Sequence, residues 1–184
     1  DIPLQHSEKS VLQAMNRQGD SAQLLDLLAK CRAYIPNIAI RTTLMVGFPG
    51  ETAADFKNLL SFIEKAQFDW VGVFSFCPED GTKAETMKGQ IPDWIKQSRQ
   101  DKAMQLLAGI SAQKRAAHIG KIFTVLIVEL PVAGSPYYVG RCCYQAPEVD
   151  GVIYVAAEHL NVGDVVEVEI TDSDIYDLKG RLIR

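Results

Sequence analysis

The run Arg41-Thr42-Thr43-Leu44-Met45-Val46-Gly47-Phe48-Pro49-Gly50-Glu51-Thr52 is the stretch of this chain best suited to chemistry. It reads as a buried strand that ends in a glycine turn and enters a capped helix. Ligands of α/β sheets gather at the carboxyl ends of strands. Gly47 and Gly50 would let the backbone come close to a ligand, and the helix N-terminus that follows favours negative charge. Arg41 is the odd member of an otherwise apolar strand. A guanidinium there must find a partner or line a cavity. It could clamp a carboxylate or phosphate, for which its planar fork is suited, or reach water or Asp69 from the strand end. Gln5, His6 and Ser7 follow a first extended run. They could hydrogen-bond a sugar or a backbone, or start a helix with Ser7 as its cap. His6, His118 and His159 lie far apart and show no metal-ligand spacing. Nothing resembles a nucleophile elbow, a P-loop or paired catalytic carboxylates.

The elements that hold these residues alternate strand with helix. Ile2 to Leu4 is a short extended run. Asp20 or Ser21 can cap a helix reaching about Tyr34, with Leu24, Leu25, Leu27, Leu28 and Cys31 on its apolar side. Ile38 to Phe48 is a near-continuous apolar run, as expected of a strand buried on both faces. Thr52-Ala53-Ala54-Asp55 has the form of a capping box, followed by Phe56, Leu59, Leu60 and Ile63 at helical spacing. Asp69 to Phe76 is the next strand. This βαβαβ rhythm predicts parallel strands with right-handed crossovers. After a polar loop from Cys77 to Gly89, Pro92 opens a long connecting helix that could run to Ile119. Beyond Gly120 the spacing changes to five short strands, 121–130, 137–144, 152–155, 165–171 and 175–178. Gly134, Asp150-Gly151, Gly163-Asp164 and Gly180 mark turns between or after them, as in a small antiparallel barrel of the OB or SH3-like kind. The fold class expected is α/β: a partial parallel sheet over 1–90, a helix over 91–119 and a β-barrel over 120–184.

The chain has 184 residues, 47% of them apolar and 23% charged, a balance that suits a globular protein and excludes a disordered tail or a disulfide scaffold. No apolar run is long enough to span a membrane. Cys31, Cys77, Cys142 and Cys143 form no C-x-x-C pair, which points to a reduced, cytoplasmic setting. Cys31 reads as core, and of Cys142 and Cys143 one should face in and one out. The charge divides along the seam between sheet and barrel. Residues 1–118 carry 14 Lys+Arg and 13 Asp+Glu, net +1, while 119–184 carry 5 and 10, net −5. The barrel is the acidic part, and Asp150, Asp172, Asp174 and Asp177 fall within it. The opening Asp1-Ile2-Pro3-Leu4-Gln5 has the look of a chain cut inside or just before a strand of a longer protein.

Three motifs, Asp1 to His6, Met45 to Thr52 and Phe76-Cys77-Pro78-Glu79-Asp80-Gly81-Thr82, resemble the radical S-adenosylmethionine methylthiotransferases. The barrel resembles their TRAM domain. Ala146 to Tyr154 and Tyr176-Asp177-Leu178 are similar to the RimO branch, which acts on an aspartate of a small-subunit ribosomal protein. The sister MiaB branch acts on tRNA. The resemblance covers essentially the whole chain, as the second half of the radical barrel plus TRAM. It implies S-adenosylmethionine and two [4Fe-4S] clusters in the full-length protein. One cluster cleaves the cofactor to a deoxyadenosyl radical, and the other holds the sulfur to be attached. Neither of the family's cysteine motifs is present here, so the piece should hold no metal, contribute no catalytic residue of its own and be inactive alone. By the same resemblance Met45 to Gly47 and Phe76 would lie near the adenine. Gln5 and Ser7 would lie near the ribose or methionine end, and Arg41 near the methionine carboxylate.

An acidic barrel suits a basic ribosomal protein better than tRNA, whose phosphates call for Lys and Arg. The alternatives are a tRNA-modifying piece, or a non-catalytic module that binds RNA or protein. A half barrel also leaves strand edges that could pair with a second copy.

Overall fold

The computed structural model describes residues 1–183 and divides into two compact units, Asp1–Leu107 and a second beginning at Ala108. In the first unit the segment Ile2–Gln5 runs parallel to β1 (Arg41–Val46). Ile2 N–H donates to Arg41 O, Gln5 N–H to Thr43 O, and Met45 N–H to Gln5 O, at 2.9, 2.9 and 2.7 Å. β1 pairs in parallel with β2 (Trp70–Ser75), Arg41 opposite Trp70 and Val46 opposite Ser75. The βαβαβ rhythm is therefore present, with the first strand reduced to a single bridge. β1 is shorter than the apolar run of the sequence. Its side chains alternate between buried and half-buried, so one face meets the core fully. Ile40, just before it, is buried, and its N–H donates to Asp69 Oδ2 at 2.8 Å.

Four helices accompany these strands. α1 (Lys9–Ala14) starts at Glu8, whose side chain makes no cap bond, so Ser7 is not a cap. α2 (Ser21–Tyr34) is capped by Asp20, which accepts from Gln23 N–H at 3.0 Å. α3 (Ala53–Ala66) carries a complete capping box between Thr52 and Asp55 and buries Phe56, Leu59, Phe62 and Ile63 at helical spacing. α4 (Asp93–Ala116) is continuous through the boundary between the units. Its first half belongs to the first unit, where Gln100 Nε2 donates to Val73 O at 2.8 Å. Ser111, in its second half, donates to Ile175 O at 2.6 Å within the second unit.

The second unit is a closed barrel of β3 (Ile122–Glu129), β4 (Tyr137–Arg141), β5 (Ile153–Ala156), β6 (Val165–Ser173) and β7 (Leu178–Leu182), in the order β3-β4-β5-β7-β6. The sequence predicts an antiparallel barrel, but β5 and β7 pair in parallel. The reason is parity. A ring with an odd number of strands cannot alternate direction all the way round, so one neighbouring pair must agree. Val125, Ile127, Ile153, Val155, Val168 and Ile170 point inward at alternate positions and fill the barrel. The last strand begins at Leu178 rather than 175, and Gly180 lies inside it instead of marking a turn. A Cβ on Gly180 would stand 2.4 Å from Val168 Cγ1, so the residue permits close approach of β7 to β6. Closure removes the exposed edges that a small sheet would otherwise present. Among the described residues no helix is long and apolar enough to cross a membrane.

Candidate functional site

The carboxyl ends of the first unit's parallel strands open into a cavity of about 450 Å³. Gln5, Met45 and Phe76 each follow or end one extended segment, and all three line it. Phe48 and Met15 add apolar wall, and Met87 comes from the loop after β2. Phe48 and Phe76 meet edge to face, ring centroids 5.1 Å apart, which gives the wall a fixed aromatic corner. Gln5 has φ 69°, a left-handed value uncommon outside glycine. Its N–H and C=O both bond to β1, so the strand pairing holds this backbone in place.

Behind Phe48 lies a buried polar cluster. Glu51 is 4% exposed and accepts from the Gly47 N–H, while Arg99 Nη1 donates to its Oε1 at 2.8 Å. Arg99 also donates to Glu51 O at 3.1 Å, and its guanidinium lies 5.6 Å from the Phe56 ring centroid. Burial raises the Glu51 carboxyl above its ordinary value. Arg99 and the Gly47 and Phe48 N–H groups oppose that rise without overcoming it. His6 is fully buried, and burial lowers its pKa to about 4, with Asp55 opposing and Arg99 reinforcing. It is neutral at pH 7. Its Nδ1 accepts from Glu8 N–H at 3.0 Å, which places the proton on Nε2, 3.9 Å from Glu51 Oε2. The cluster clamps the turn between β1 and α3 and so positions Phe48 against the cavity.

The structure brings together Gln5, Met45 and Phe76, but not all the residues singled out from sequence. Ser7 is buried, and among the described residues its Oγ has no hydrogen-bond partner. Gly47 has φ +78°, and the space a Cβ would take is filled by Lys96, whose Cγ would be 2.4 Å away. The close approach at Gly47 is thus to α4. Arg41 begins β1, while Met45 and Gly47 end it. At about 3.3 Å per residue, four residues separate Arg41 from Met45 by about 13 Å. Arg41 Nε instead stands 3.5 Å from Asp1 Oδ1.

Three of the four barrel aspartates brace loops, and Asp172 lies in β6 beside β7. Asp150 Oδ2 accepts from Ala146 N–H at 2.7 Å, and Asp177 Oδ1 from Val152 N–H at 2.8 Å. Asp174 Oδ1 accepts from Ile175 N–H at 2.8 Å. Asp172 accepts from Ser173 N–H at 2.9 Å and faces Lys179 Nζ at 3.3 Å. The Ser173 N–H, with Lys179, holds its carboxyl below the ordinary value.

Comparison with known proteins locates both units. Residues 1–63 match the model of the Radical SAM superfamily, and residues 119–183 match that of the TRAM domain. Three curated relatives bear the name ribosomal protein uS12 methylthiotransferase RimO. That of Anaeromyxobacter sp. (strain Fw109-5) is 44% identical over 100% of this chain and 39% of its own length. That of Hydrogenovibrio crunogenus is 45% identical over 97% of this chain and 39% of its own length. For Thermosynechococcus vestitus the identity is 46%, over 98% of this chain and 40% of the relative. The chain is similar to RimO-type proteins across both of its units. It spans about 40% of the length of the curated relatives it matches.

RimO-type proteins of the radical SAM superfamily imply S-adenosylmethionine and [4Fe-4S] clusters. The cavity fits the nucleoside part of that cofactor. Its volume lies in the range of small-molecule sites, and an aromatic corner, thioethers and the amides of Gln5 and Asn16 suit a planar heteroaromatic ring. The residues present do not fit a cluster. Cys31 is half-buried, Cys77 and Cys143 are exposed and Cys142 is buried. Among the described residues no group of three or more His, Cys, Asp or Glu is placed to hold a metal ion.

Reasoning from sequence missed the Glu51–Arg99–His6 cluster and the charged cavity residues Arg17 and Lys83. Glu51, immediately before a helix cap, was visible. Its partner Arg99 lies 48 positions away and carries no local signal.

Proposed function

We propose that this chain supplies part of the cofactor cradle and the docking domain of an enzyme that adds a methylthio group to an aspartate of ribosomal protein uS12. The cavity at the strand ends carries this reading, in a chain 42–46% identical to RimO-named proteins over its length. The bound cofactor supplies radical chemistry at the acceptor carbon. Gln5, Met45 and Phe76 hold its adenosyl part, with Ser7 Oγ as a free buried donor close by in sequence. Gly47 shapes the turn from behind, through Lys96 and Glu51. Arg41 serves the methionine carboxylate only if the strand ends rearrange in the full-length protein. The functional division follows residues 1–90, 91–119 and 120–184.

The barrel is the docking element. Its net charge of −5 complements a basic ribosomal protein, and Asp150, Asp172, Asp174 and Asp177 contribute to that field while holding local structure. The protein works in the cytoplasm, where ribosomes are modified. By itself the chain is inactive, because it brings no cluster ligands. In isolation it self-associates through the outer edge of β2 or of Ile2–Gln5, each of which has one strand neighbour among the described residues.

The test uses the full-length protein with its clusters reconstituted. It is offered uS12 and, separately, tRNA, and the products are analysed by mass spectrometry. A methylthio mass gain on a uS12 aspartate supports the reading. A gain on tRNA with none on uS12 replaces it with the tRNA-modifying alternative. Modification of neither substrate leaves the non-catalytic binding module.

A further inference from the structure

We propose that Lys83, assisted by Arg17, receives the carboxylate of the acceptor side chain, so that this cavity selects a carboxylate-bearing residue of a peptide. The inference rests on the reading of the chain as part of a protein-modifying enzyme. Lys83 and Arg17 are the charged residues that line the cavity, and among the described residues no Asp or Glu lines it. The walls are otherwise apolar or carry amides, so an anion entering there meets two cations and no competing carboxylate. Both cations are exposed where they line the cavity, and a bond from either to a carboxylate is charge-assisted.

The two cations are not equally available. One arm of Arg17 is committed, since Nη1 donates to Pro3 O at 2.9 Å. Lys83 makes no ion pair with any described residue. The carboxylate nearest it in sequence, Glu85, is engaged by Gly81 N–H at 2.8 Å. The loop that carries Lys83 is braced from within. Gln90 Nε2 donates to Ala84 O at 2.8 Å and to Met87 O at 3.2 Å. A lysine on a braced loop, at the mouth of an apolar cavity and without a partner, is suited to meet an incoming anion.

The origin of this wall favours the acceptor over the cofactor. Gln5, Met45 and Phe48 fall inside the stretch that matches the radical SAM superfamily, residues 1–63. Phe76, Lys83 and Met87 fall outside it and before the TRAM match at 119–183. A cofactor common to the superfamily is served by the matched residues together with Phe76, which forms the aromatic corner with Phe48. Lys83 and Met87, beyond that corner, are free to serve whatever differs between members, which is the acceptor.

The experiment uses the full-length enzyme and two fluorescently labelled uS12 peptides, one with the acceptor aspartate and one with asparagine in its place. Affinity for each is read by anisotropy, and affinity for S-adenosylhomocysteine by calorimetry. Lys83→Gln is expected to weaken the aspartate peptide about tenfold, the size of one charge-assisted hydrogen bond. The asparagine peptide and S-adenosylhomocysteine should change less than about twofold, and Lys83→Arg should recover most of the loss, because the positive charge is retained. Equal weakening of both peptides overturns the proposal, as does loss of S-adenosylhomocysteine affinity with both peptides unchanged. If wild type prefers aspartate and Lys83→Gln keeps that preference, the lysine assignment falls and the enzyme reading stands. If wild type binds neither peptide, the enzyme reading falls and takes the proposal with it.

Discussion

Replacing His6 by Asn tests how tightly the buried cluster is built. The imidazole is fully buried and its pKa falls from 6.5 to about 4 in the folded chain. A histidine depressed in this way binds its proton more readily when unfolded. Its contribution to stability is therefore complete above pH 6.5 and lost as the pH falls toward 4. At about 1.4 kcal/mol per pH unit the difference amounts to about 3 kcal/mol across that window. Glu51, with a raised pKa, acts in the opposite sense: its contribution is fully present at acid pH and declines as the pH rises through its folded value. A wild-type profile alone would mix the two, and the difference between wild type and His6→Asn separates them. The Asn side chain leaves an acceptor near the position of Nδ1 for the Glu8 N–H.

Trp70 and Trp94 are the two tryptophans, and both lie in the first unit, so intrinsic fluorescence during urea unfolding reports on that unit. Wild type should lose about 3 kcal/mol relative to His6→Asn between pH 7 and pH 4. Profiles that stay parallel within about 1 kcal/mol would show that the imidazole is hydrated or already paired, and would refute the reasoning.

Glu51→Ala should cost about 3–5 kcal/mol, because it leaves Arg99 and the Gly47 N–H without their buried acceptor, and Arg99→Met in the same chain should restore part of that in a double-mutant cycle. Additive single effects would mean the pair does not act as a unit. Gly47→Ala should destabilise the first unit by about 2 kcal/mol or more through its positive φ and the approach to Lys96. Truncating that neighbour with Lys96→Ala should relieve the steric share, as read by thermal melting. Gly180→Ala drives a methyl into Val168 and should cost the barrel about 1–3 kcal/mol, visible in its far-ultraviolet circular dichroism melt. An unchanged melt would mean that β7 stands further from β6. Asp177→Ala removes the acceptor for Val152 N–H and should cost about 1 kcal/mol, so any loss of uS12 binding must be compared at equal folded fraction.

Some features of the site were legible in short stretches. The capping box at Thr52 and Asp55, the cap at Asp20, the glycine turn at Gly47 and the strand ends at Gln5, Met45 and Phe76 all depend on neighbours within about four residues. The apolar run from Ile38 to Phe48 leaves open whether Arg41 sits within a strand or at its end. Strand pairing begins only at Arg41, so the guanidinium lies at the opposite end from the cavity. Gly180 was read as a turn because a glycine in a strand and a glycine after one look alike until the neighbouring strand is known.

Local pattern thus determined the order of helices and strands, the division into a near-neutral first part and an acidic barrel, and the turn that shapes the cavity. These follow from hydrogen bonds and periodicities that close within a few residues. Packing decided the rest: which cation meets Glu51, which charges line the cavity, and which pair of strands runs parallel. A buried charge is satisfied by whatever the fold carries to it, here an arginine 48 positions away. A ring of five strands must break its alternation somewhere, and only the closed barrel shows that it does so between β5 and β7.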